Sequence, residues 1–122
     1  MQITKKQEEE IQKIKDFLIE NGITLDLSLK NENYIDHDES KIVVYLGQPH
    51  KHIVYTALHE IGHYFNDLSF DEDTHAATVI GEVLAWDLGM DIAASIGLDI
   101  DHTVWNKLMI DCVGKYIKYP NN

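Results

Sequence analysis

The spacing of apolar residues changes period along this chain, and that change bounds the fold. Between residues 23 and 46 the pattern is that of strands. Ile23, Leu25, Leu27 and Leu29 alternate with more polar residues, and Ile42 to Tyr45 form a run of β-formers closed by Gly47 and Pro49. The polar run Asn31-Glu32-Asn33 reads as a turn, after which Tyr34-Ile35 begins a second short strand. From Ile53 onward the spacing is three or four, through Leu58, Ile61, Phe65 and Leu68. Strands in one block and helices in another predict an α+β domain with a small, mostly antiparallel sheet.

Capping signals mark the helices. Thr4 followed by Gln7 is a capping-box pattern, Glu8, Glu9 and Glu10 suit the positive end of the macrodipole, and Asn21-Gly22 supplies a left-handed stop. Ile11, Ile14 and Leu18 form the buried stripe of this first helix. After the helix beginning near Ile53 comes an acidic loop around Asp71, Glu72 and Asp73, read as solvated charge. A long helical stretch then runs from Thr74 to about Ile96, with Gly81 and Gly89 inside it and Gly97 at its end. The last helix starts near Asp101, buries Trp105, Leu108, Met109, Cys112 and Tyr116, and ends before Pro120. With 122 residues and no linker or repeat, residues 1–122 read as one domain.

Charge and cysteine content exclude several classes of function. Ten basic against 21 acidic residues give a net charge of −11, which argues against a nucleic-acid backbone or an anionic membrane as partner. Cys112 is the only cysteine, so no intramolecular disulfide forms and a reducing compartment fits. Charges are scattered through the first seventeen residues where a leader needs an apolar core, and no run is long enough to span a membrane. The expectation is a soluble, cytoplasmic protein.

His59-Glu60-Ile61-Gly62-His63 is an HExxH motif on a segment that other residues already mark as helical. Histidines at i and i+4 project from one face, so both imidazoles can hold one metal ion. Glu60 lies off that line, where it can take a proton from a metal-activated water. The bland alternative is a surface helix with two incidental histidines.

A catalytic zinc site has three protein ligands and an open position. Asp67, Glu72, Asp73, His75, Glu82 and Asp87 are the downstream candidates, and Glu82 is the best. It lies 19 residues after His63 on the next helix, and its apolar neighbours Val83, Leu84, Ala85 and Trp86 make a carboxylate out of place there. Ala85, one turn along the same face, is small enough for close helix packing, and Trp86 can brace the arrangement. His75 remains the rival third ligand, since imidazole is a common zinc ligand.

The segments His59-Glu60-Ile61-Gly62-His63-Tyr64-Phe65 and Glu82-Val83-Leu84-Ala85-Trp86 together resemble the zincin metallopeptidases of the gluzincin type. More narrowly they resemble small single-domain zincin-like proteins of bacteria and phages, including the ImmA/IrrE-like group. The resemblance spans Ala57 to Asp87. It implies one Zn2+ per chain, His59, His63 and Glu82 as its ligands, and Glu60 as general base. It also implies that the strand Lys41 to Leu46 is a sheet edge along which a peptide substrate pairs. The metzincin pattern is excluded, because it needs glycine at 66 and histidine at 69, where this chain has Asn66 and Ser69. Trp86 occupies the position of the aspartate that follows the glutamate ligand in thermolysin-like enzymes, which puts a histidine-orienting carboxylate there in doubt.

Other residues complete the expectation. Tyr45, Tyr55, Tyr64 and His75 are candidate oxyanion donors among which spacing does not choose. Asp67 and Asp87 are candidate partners for the far nitrogens of the motif histidines. His50 and His52 read as loop residues beside Pro49, His37 and His102 carry no assignment, and Cys112 reads as a buried structural thiol. The leading functional expectation is zinc-dependent hydrolysis of a peptide or protein, with basic segments favoured. The alternative is an acidic, zincin-shaped binding or decoy protein whose zinc is structural or vestigial.

Overall fold

The computed structural model describes residues 4–66 and 75–117, and of 75–78 the backbone. Its elements are α1 (Lys5–Glu20), β1 (Thr24–Ser28), β2 (Tyr34–Asp36), β3 (Lys41–Tyr45), α2 (His50–Asn66), α3 (His75–Ser95) and α4 (His102–Ile117). The α+β layout is the one the periodicity predicts. No helix among the described residues is long and apolar enough to cross a membrane.

Helix α1 starts where its cap dictates. The Thr4 hydroxyl accepts from the Gln7 backbone N–H at 3.1 Å, and the Gln7 side chain accepts from the Thr4 N–H at 3.0 Å. A cap of this kind stabilises a helix by about 1 kcal/mol. Ile11, Ile14 and Leu18 are the buried residues of the helix, and Gly22, at φ +72°, turns the chain out of it.

The sheet differs from the expectation in two ways. Its order is β1-β3-β2, with β1 parallel to β3 from Thr24↔Lys41 to Ser28↔Tyr45 and β2 antiparallel to β3 from Tyr34↔Val43 to Asp36↔Lys41. The sheet is therefore mixed, and its longer ladder is parallel. Residues 29–40 carry the chain to the far side of β3, lay down β2 there, and reverse at Ser40, whose φ is +51°. That detour is what returns β3 in the direction of β1. The second difference follows from the first: β3 is the central strand, so residues 41–45 are not an open edge for a peptide. The run Ile42-Val43-Val44 is buried throughout, as a strand covered on both faces requires.

Helix α2 packs between this sheet and α3, putting Leu58 and Ile61 into one core with Ile14, Leu18, Ile42 and Val44. It begins three residues earlier than Ile53, because the Pro49 carbonyl accepts from the Ile53 N–H at 3.1 Å. His50 and His52 therefore lie in its first turn rather than in a loop. Helix α3 is unbroken through Gly81 and Gly89, and Gly97, at φ +75°, ends the turn that follows it. Asp101 caps α4 by accepting from the Thr103 and Val104 N–H groups. Trp105 is buried, while Leu108, Met109 and Cys112 are half-buried. Tyr116 is exposed over about a third of its surface instead of buried.

Candidate metal centre

The site is built where α2 and α3 cross. A Cβ on Gly62 would stand 2.0 Å from the Ala85 carbonyl oxygen, and one on Gly89 would stand 2.8 Å from that of Leu58. These two approaches show antiparallel helices in backbone contact, which is the use the motif makes of Gly62. Ala85 is fully buried at the crossing. His59 lies one turn before Gly62 and Glu82 one turn before Ala85, on opposite sides of this contact, and their side chains reach across it to meet.

The geometry is tight. The rings of His59 and His63 have centroids 4.6 Å apart. Glu82 meets both: Oε1 is 3.2 Å from His59 Nε2 and Oε2 is 2.5 Å from His63 Nε2. Glu82 is buried, with 6% of its surface exposed, although Val83 and Leu84 beside it face outward. Behind the site, Trp86 stacks on His59 with centroids 4.2 Å apart and planes 10° from parallel. Trp86 in turn meets Trp105 edge-on at 5.0 Å, and Trp105 meets Tyr55 edge-on at 5.4 Å. This row of rings fixes the His59 imidazole and ties α4 to the site. Glu60 Oε1 lies 3.9 Å from His59 Nδ1, on the other side of the ring from Glu82.

Cys112 is the residue the sequence reading missed. It packs against the core, as its apolar stripe suggests, yet its thiol also donates to Glu82 Oε1 at 3.1 Å. One ligand atom each from His59, Glu82 and Cys112 lie within 4.8 Å of one another. Burial and then the Glu82 carboxylate push the thiol up to about 12, while the Trp86 indole N–H favours the thiolate. For Glu82, burial alone would raise the pKa. The close His59 and His63 imidazoles and the Cys112 hydrogen bond outweigh it and hold the carboxyl well below the usual range.

These residues fit a divalent cation of the zinc class. Two imidazoles, a carboxylate and a thiol are its ordinary donors. Among the described residues His59 Nε2 is buried without a hydrogen-bond partner, since its approach to Glu82 lacks hydrogen-bond geometry. A buried ring nitrogen left bare beside a carboxylate is what a metal ligand set presents before loading.

The remaining candidates separate. Tyr55 is buried, and its hydroxyl accepts from the Asp101 N–H at 2.8 Å, so it serves the α3–α4 turn. Tyr45 folds over Gly47 at the end of β3. Tyr64 follows His63 and packs on His37 with centroids 4.6 Å apart, a pairing that no local pattern announced. His50 pairs with Glu10 at 3.0 Å and, with His52, lines a groove of about 720 Å3 at the other end of α2. Asp87 is exposed. Asp67, Glu72 and Asp73 lie outside the described residues, as does the side chain of His75. No protein-family model, curated protein or solved structure matches this chain.

Proposed function

We propose that this chain is a minimal zincin-type metallopeptidase, working in the cytoplasm on a peptide or protein substrate. One observation carries the reading. The buried Glu82 of α3 meets both histidines of the HExxH helix, which is the convergence a two-helix zinc site requires. His59, His63 and Glu82 would hold one zinc ion, which when bound supplies an acidified water and polarises the scissile carbonyl. Glu60 takes a proton on its carboxylate and later passes it to the leaving amine. Trp86 holds the His59 ring in place for this work. The net charge of −11 favours basic substrate segments through a field that salt screens.

The test is peptide hydrolysis by the zinc-supplemented chain and by Glu60→Gln, both purified free of contaminating protease. Turnover by the wild type, abolished in the variant with zinc content unchanged, supports the proposal. Equal turnover by both sinks it. A second reading, a zincin-shaped binding protein whose metal is structural, is favoured by the thiol beside Glu82, since structural zinc sites use four protein ligands. A salt-sensitive complex with a basic protein, indifferent to Glu60→Gln, would support that reading.

A further inference from the structure

The thiol of Cys112 has no part in three-ligand hydrolysis, yet α4 delivers it to the carboxylate that both histidines share. Its Sγ is 3.1 Å from Glu82 Oε1, and His59 Nε2 is 3.2 Å from the same oxygen. Donor atoms around a tetrahedral zinc, with bonds of about 2.0–2.3 Å, stand roughly 3.3–3.8 Å apart. Both separations fall just short of that range, and the three donor atoms lie within 4.8 Å of one another. A small outward shift therefore puts the sulfur where a fourth donor belongs, beside a nitrogen that is buried and, among the described residues, lacks a hydrogen-bond partner. We propose that Cys112 is a fourth protein ligand of the metal, so that the resting site is closed and the position a substrate needs is held by sulfur. This rests on the metal-site reading above.

Charge supports the assignment. A dication with one carboxylate and one thiolate is neutral, and a neutral cluster is far cheaper to bury than a charged one. On loading, the Cys112 S–H bond breaks, a sulfur–metal bond forms, and the proton leaves to solvent. No oxidant or reductant is involved. Trp86 supports the His59 end: its ring stacks on the imidazole, and its buried indole N–H has no hydrogen-bond partner among the described residues. Hydrolysis then waits on a movement of α4 that withdraws the thiolate from the metal.

The experiment uses cobalt(II) as the probe, loaded into the purified chain and into Cys112→Ser. The expected result is a near-ultraviolet sulfur-to-cobalt charge-transfer band in the wild type and none in the variant. Metal affinity in the variant should fall by at least about tenfold, the lower end of what even an indirect partner of a ligand costs. In the wild type, bound zinc should protect the thiol from a thiol reagent, and a chelator should expose it. That measurement needs no variant and decides the matter if Cys112→Ser does not fold. Cobalt bound equally by both chains, with no charge-transfer band and an unprotected thiol, overturns the fourth ligand and leaves the three-residue site standing. Cobalt bound by neither overturns the metal site itself, and the closed site with it.

Discussion

Gly62 and Ala85 touch backbone to backbone, leaving 2.0 Å between the Ala85 carbonyl oxygen and the place a Cβ on Gly62 would occupy. No side chain fits there unless α2 and α3 move apart. Because His59 and Glu82 each lie one turn from this contact, the spacing of the candidate metal centre depends on it. Gly62→Ala should therefore lower stability by about 1–3 kcal/mol, the usual cost of overpacking, and should weaken metal binding as well. Gly114, with nothing within 4 Å of its missing Cβ, is the control. There alanine should be neutral or stabilising by up to about 1 kcal/mol, because it favours the helix. Urea unfolding of both variants checks the pair.

Zinc content separates the two rival third ligands. Glu82 is buried against both motif histidines. Elemental analysis should find about one zinc per wild-type chain, a clear loss in Glu82→Ala, and no change in His75→Ala. Loss in the His75 variant alone would reverse the assignment.

The stack of Trp86 on His59 predicts a double effect. Trp86→Ala removes a buried indole and should cost about 3–5 kcal/mol of stability. It also frees the His59 ring, so metal affinity should fall about 10–100-fold, as for other residues that orient a ligand. Affinity that stays constant while stability drops would mean that the ring is not a brace.

Asp101 predicts a pH dependence. Its hydrogen bond to Lys51 and its acceptance of the Val104 and Thr103 N–H groups hold its carboxyl below the ordinary value. A depressed carboxyl contributes stability that is fully present above its unfolded pKa, about 3.9. That contribution is lost as pH falls below this value towards the native one. Asp101→Asn keeps a capping side chain but cannot titrate. The gap in urea midpoint between wild type and variant should accordingly close as the solution is acidified through the carboxylate range. A gap that is constant with pH would show that the carboxylate charge does no work there.

The hydrolytic reading of Glu60 has its own geometric condition. Its carboxylate stands 3.9 Å from His59 Nδ1, away from the side of the ring that Glu82 occupies. With metal bound, Glu60→Gln should leave affinity for zinc within a fewfold of wild type, since its carboxylate stands by His59 Nδ1 and not by the Nε2 that meets Glu82. A large loss, measured by competition with a chelator, would make Glu60 a ligand rather than a base.

Much of this molecule could be read from neighbours in the chain. The Thr4 cap, the Gly22 and Gly97 stops, the helical face of His59 and His63, and the oddity of a carboxylate at Glu82 are matters of residues within a turn or two. Such interactions are short-ranged, so sequence spacing displays them directly. The small residue Ala85 announced a close helix contact for the same reason. Strand order was not legible that way. The run at Ile42 to Val44 was compatible with an edge or a centre, and only the path of residues 29–40 around β3 settled it. Cys112 shows the limit best. Its own neighbours place it on an apolar stripe, which says that the stripe is covered but not by what. The packing of Trp105 between Trp86 and Tyr55 sets where α4 lies against α3, and with it the meeting of the thiol and Glu82. Contacts thirty residues apart depend on how whole helices dock, and no local pattern encodes that.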